Sequence, residues 1–92
     1  MIDADELLFD DENERKFRLH GISVAEVADV HDNEPRFYIN REPRRATHVM
    51  LGPTFGGRMQ VVPIERIGPG LWRPVTAFEP TPQQTKAYRS RR

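Results

Sequence analysis

Asp10-Asp11-Glu12-Asn13-Glu14-Arg15-Lys16-Phe17-Arg18-Leu19-His20-Gly21-Ile22-Ser23-Val24-Ala25-Glu26 reads as a helix, a glycine stop and the capped start of a second helix. Asp10 or Asp11 supplies an N-cap, and the spacing predicts a helix over 11–20. Glu12/Lys16 and Glu14/Arg18 are i, i+4 pairs with the acid first, the better orientation. Acids crowd the start of this segment, and Lys16, Arg18 and His20 its end, which suits the helix dipole. Gly21 stands where a left-handed residue closes a helix. Ser23 and Glu26 form a capping-box pattern that opens the second helix. Val24, Val27 and Ala28 make its apolar stripe, with Val30 extending it. The residue before Pro35 avoids helical geometry, so the helix ends near Asn33.

Outward from this pair the period changes. Upstream, Leu7-Leu8-Phe9 is a candidate opening strand. Downstream, Phe37-Tyr38-Ile39 is β-prone, and Asn40 to Arg45 is a polar loop. Strands are predicted over 47–51, 58–66 and 71–77, separated by turn chemistry at Pro53 to Gly57 and Gly68-Pro69-Gly70. This gives an antiparallel meander of three or four strands. Pro63 and Pro74 fall inside it and cannot donate to a ladder, so each is expected at an edge or a bulge. Thr81-Pro82-Gln83-Gln84 is a second capping-box pattern with proline at the first helical position. The C-terminal helix it opens carries Lys86, Tyr88 and Arg89, and residues 89–92 are expected to fray. The predicted class is α+β: two N-terminal helices, a twisted antiparallel sheet and a last helix, in one domain over residues 1–92.

The 92 residues carry no net charge, and that zero is split. Residues 1–35 hold 11 acids against Arg15, Lys16 and Arg18, a balance of −8. Residues 36–92 hold 11 basic groups against Glu42, Glu65 and Glu79, a balance of +8, and ten of the 11 are arginine. Arginine's planar fork fits phosphate geometry and stays charged at cellular pH. Two readings follow. Either the second half offers a phosphate-binding face, or the acidic half folds back and neutralises it.

With no cysteine, disulfides and thiolate metal sites are excluded. The first residues lack the basic start and apolar run of a secretory signal. No apolar stretch approaches the roughly 18 residues that span a bilayer. A cytoplasmic protein is expected. His20, His31 and His48 have no ligand spacing, so no metal and no cofactor are expected. No nucleophile elbow or phosphate loop occurs.

What remains is basic and aromatic: Tyr38, Arg41, Arg44, Arg45, His48, Arg58, Arg73, Lys86 and Tyr88. Arginines can clamp phosphate and tyrosines can stack on bases. The same set could cleave RNA without metal. In-line attack of a 2′-hydroxyl needs a base, an acid for the leaving oxygen and cations for the phosphoryl charge. Arg45, Arg58 and Arg73 would stabilise that charge, and His48, Lys86 or Tyr88 would move protons. Tyr38, Arg41 and Arg44 would hold RNA. His20 is a weaker candidate, since a helix end favours histidine anyway. Structural roles compete: Tyr88 and Trp72 as core residues, Arg58 and Arg73 as ion-pair partners of Glu65 or of the acidic helices.

Phe9-Asp10-x-x-Asn13-x-x-Lys16-x-x-x-His20-Gly21-Ile22, followed by Glu26-Val27, resembles the opening of the BrnT family of toxins. Arg45, then Val49-Met50-Leu51-Gly52, then Gly57-Arg58-Met59 is similar to that family's middle. Trp72-Arg73-Pro74-Val75-Thr76-Ala77 and Tyr88 are similar to its close. The resemblance runs from Leu8 to Tyr88. It implies a RelE-like fold and a metal-independent endoribonuclease that inhibits translation, with RNA, free or on the ribosome, as substrate. It also implies a ribbon-helix-helix antitoxin as partner, promoter DNA bound through that antitoxin, and no membrane. The chain departs from the family at Phe78, where arginine is usual, at Gln84, where the last helix often has an acid, and at Pro74, which replaces a β-branched residue. These departures imply the alternative of a catalytically weakened binding module.

Overall fold

In a computed structural model, residues 2–42 and 45–90 are described. The chain runs β1 (Glu6–Leu7), α1 (Asp11–Leu19), α2 (Val24–Asp32), β2 (Arg36–Ile39), β3 (His48–Pro53), β4 (Met59–Gly68), β5 (Leu71–Pro74) and α3 (Pro82–Ser90). The α+β class and all three helices are as predicted. The sheet has five strands in the order β1-β5-β4-β3-β2. β2 to β5 form the expected antiparallel meander. β1 pairs parallel with β5, which makes the sheet mixed and corrects the all-antiparallel expectation.

The helix boundaries follow from local hydrogen bonds. Asp10 caps α1: its Oδ1 accepts from the Asn13 N–H, and Asn13 Oδ1 accepts from the Asp10 N–H, both at 2.9 Å. Gly21 sits at φ 68°, the left-handed geometry predicted for it. Ser23 Oγ accepts from the Glu26 N–H at 3.1 Å, and Glu26 Oε1 accepts from the Ser23 N–H at 3.0 Å. At α3, the Thr81 and Gln84 side chains exchange the same pair of bonds with each other's backbone. That helix continues through Ser90, whose hydroxyl donates to the Ala87 carbonyl, so Arg89 and Ser90 are helical rather than frayed; Arg91 and Arg92, the rest of the expected tail, lie outside the described residues.

Alternation along the strands buries both faces of the sheet. Met50 and Val62 are paired and join Phe17, Ile22, Val27, Val30, Ile64, Trp72 and Ala77 in the core beneath α1 and α2. Leu51 and Val61, the next pair, join Met59 in a smaller cluster that Tyr38, Val49, Phe78 and Tyr88 cover from the α3 side. Gly52 lets β3 pass close to the chain leaving α2: a Cβ there would stand 3.1 Å from the Pro35 Cα, tighter than an ordinary contact.

The prolines explain why β5 is shorter than the predicted 71–77. The Pro63 carbonyl accepts from the Val75 N–H at 2.8 Å, so the missing Pro63 donor faces β5. Regular β4–β5 pairing stops at Ile64↔Pro74, and only an isolated Val61↔Phe78 bridge follows. β4 is an internal strand, and the irregularity sits on the side where Pro63 cannot donate. On the opposite side of β5, Asn13 continues the ladder where β1 has ended. Its amide donates to the carbonyls of Leu8 (3.0 Å) and Pro74 (2.9 Å), and the residue is fully buried.

Candidate functional site

Arg73 is the most enclosed charge among the described residues. Its side chain is 5% exposed. It lies on β5 opposite Glu65 of β4, at the place where the start of α1 passes the sheet edge. Its guanidinium binds Asp10 with two bonds, Nε to Oδ2 at 2.7 Å and Nη2 to Oδ1 at 3.0 Å. Nη2 also donates to Glu12 Oε1 at 2.6 Å, and Nη1 to Glu65 Oε2 at 3.1 Å. Arg45 joins the same carboxylates, at 3.0 Å from Glu12 and 2.8 Å from Glu65. Two arginines and three acids thus form one network.

Charge pairing sets the titration of this group. Asp10 is held down to about 2, first by the Arg73 hydrogen bonds and then by the Asn13 N–H. Glu12 is also lowered, by Arg45 first and Arg73 second. Arg73 is raised, chiefly by Asp10 against the opposing effect of burial. The carboxylates satisfy the fork of donors that a phosphate would need.

Arg58 is similarly engaged. It donates to Glu26 at 2.9 Å, to Glu79 at 3.2 Å and to the Gly21 carbonyl at 3.1 Å. It therefore ties the α1–α2 corner to the start of β4. Arg66 makes two bonds to Asp3, whose other contacts are the Trp72 indole and the Gly70 N–H. Those bonds lower Asp3, Arg66 most strongly. Each of Arg45, Arg58, Arg66 and Arg73 takes a carboxylate from residues 1–35. The acidic half does fold back on the basic half.

The remaining candidates are spread over the molecule. His48 stacks edge-on against Trp72, with centroids 5.0 Å apart, and its Nδ1 lies 2.9 Å from the Thr47 hydroxyl. The Tyr88 hydroxyl donates to the Glu34 carbonyl at 3.3 Å, and the Arg36 guanidinium sits over its ring. The Tyr38 hydroxyl is buried with no hydrogen-bond partner among the described residues. Arg41 lines a groove of about 320 Å³ between β2 and α3, together with Tyr38, Val49, Leu51 and Val61. Lys86 is exposed on α3, and His20 lies beside Phe78 with centroids 6.1 Å apart. Arg44 lies outside the described residues. Among the described residues no three His, Cys, Asp or Glu groups are placed to hold a metal. None of their helices is long and apolar enough to cross a membrane.

Sequence reasoning gave Asn13 no structural role, although its amide joins α1 to both β1 and β5. Its signal was a polar residue at the third position of a capped helix, where a side chain can reach back. The sequence offers the acidic helices as partners for Arg73 without singling out Asp10 and Glu12, since those contacts span 63 and 61 residues of chain. Compared with protein-family models, with curated proteins and with solved structures, the chain matches none.

Proposed function

We propose that this chain is a BrnT-like protein of RelE-like fold that acts by binding, with RNA cleavage weakened or lost. One observation carries this reading: Arg73, one of the three arginines expected to stabilise a phosphoryl charge, is 5% exposed and engaged by three carboxylates. Freeing it for phosphate would break four hydrogen bonds and leave Asp10 without a cation. Phe78 supports the same conclusion, since it packs on the Leu51 cluster where the resembled family carries a cation. The partner is a ribbon-helix-helix antitoxin, and RNA is held without being cut.

The test is incubation of the purified protein, free of partner, with single-stranded RNA in EDTA. The RNA stays intact, and induced expression does not arrest growth. Metal-independent cleavage that Arg58→Ala removes from a folded protein would overturn the proposal.

A second reading is an active endoribonuclease that inhibits translation and is neutralised by that antitoxin. It draws on Arg41, Lys86 and Arg89, which have no carboxylate partner among the described residues. With His48 or Tyr88 as proton donors they would supply the cations. Growth arrest relieved by a co-expressed ribbon-helix-helix protein would favour it.

A further inference from the structure

β2 is the outer strand on its side of the sheet, and its free edge is flanked by a groove on each face. The Asn40 N–H donates to the Thr47 carbonyl at 2.9 Å. Antiparallel pairing alternates, so Tyr38 turns its main-chain groups toward β3 while Phe37 and Ile39 turn theirs outward. Four main-chain groups therefore face away from the sheet. One groove, of about 320 Å³, has Val49, Leu51 and Val61 as its apolar floor under α3. The other is bordered by Ile2, Phe37 and His48 on the opposite face. Tyr38 and Ile39 border both, and Ile39 is 77% exposed.

We propose that β2 accepts an extended segment of another protein as a sixth strand, running antiparallel, with an acidic residue followed by a short apolar run. Successive side chains of such a strand point to opposite faces, so they enter the two grooves in turn. The acid complements Arg41, which is exposed, lines the first groove at the end of β2 and has no carboxylate partner among the described residues. A second copy of this chain fits less well. Symmetric pairing about Tyr38 sets Glu34 opposite Glu42, and pairing about Phe37 sets Pro35, which has no N–H, opposite Ile39. The proposal rests on β2 alone and stands whether or not the chain cleaves RNA.

The probe is the capped peptide Gly-Asp-Ser-Val-Val-Val-Thr-Gly, titrated into the full chain and followed by amide NMR. The expected result is saturable binding in which the Phe37 and Ile39 amides shift and become protected from exchange. Ile39→Pro removes one outward donor without touching the β3 ladder, and abolishes binding. Arg41→Glu, which leaves the backbone unchanged, weakens binding about tenfold and prefers the peptide with lysine in place of aspartate. No saturable binding, or shifts confined to other elements, would overturn the proposal. So would concentration-dependent shifts of the same amides without peptide, which indicate a second copy. Stronger displacement of those amides by a single-stranded RNA oligonucleotide than by the peptide would also overturn it.

Discussion

Arg73 decides how the candidate site is understood. An arginine on a strand in an arginine-rich half of the chain looks equally suited to phosphate and to carboxylate. The choice is made by Asp10 and Glu12, which the capped start of α1 brings to it at 2.7 and 2.6 Å. Its removal leaves Asp10 without a cation and Glu12 and Glu65 with Arg45 alone. Part of their charge is solvated, so Arg73→Ala is expected to cost about 2–4 kcal/mol. Asn13 is a second such residue. Asn13→Ala leaves the carbonyls of Leu8 and Pro74 without their donor and is expected to cost about 2–3 kcal/mol in urea unfolding. The acid side of the network gives a pH signature. Asp10 falls to about 2 in the folded chain from the ordinary aspartate value of 3.8, so its contribution is full above pH 3.8 and is lost as pH falls toward 2. Unfolding measured against pH should therefore show stability dropping through that window. Asp10→Asn should flatten the drop.

At the scale of elements, short-range chemistry was legible and long-range partners were not. The three capping patterns at Asp10, Ser23 and Thr81 gave the helix starts, because each depends on side chains three residues apart. Gly21 gave the corner for the same reason. β1 was read as a strand from Leu7-Leu8-Phe9, but its parallel place beside β5 is fixed by contacts from Glu6 to Leu71 and Leu7 to Trp72 that leave no local signal. The end of β5 was set by Pro63 on the neighbouring strand, so it too lay beyond a local reading. α3 is the least secured element. It has no fully buried residue and packs on the Leu51 cluster through Tyr88. Hydrogen exchange should therefore find its amides the least protected of the three helices. Tyr88→Ala should raise exchange in α3 while leaving α1 and α2 unchanged.

For the whole molecule, the division of charge is a folding device. The −8 and +8 halves meet through four arginines, each paired with an acid from residues 1–35. Composition alone allowed both a phosphate face and this internal neutralisation; the register of β4 and β5 against α1 selects the second. Among the described residues of the basic half, Arg41, Lys86 and Arg89 are cations outside these ion pairs. If those three meet phosphates, the logarithm of RNA affinity should fall against the logarithm of salt with a slope of about −2, from roughly 0.7 per phosphate on single strands. Recruitment of Arg45, Arg58 and Arg73 would double it to about −4.

The central claim is that these arginines hold the fold together. Equilibrium urea unfolding of Arg73→Ala beside the unaltered chain tests it most directly. A loss of about 2–4 kcal/mol is predicted. A variant as stable as the unaltered chain would contradict the account and return Arg73 to the candidates for RNA.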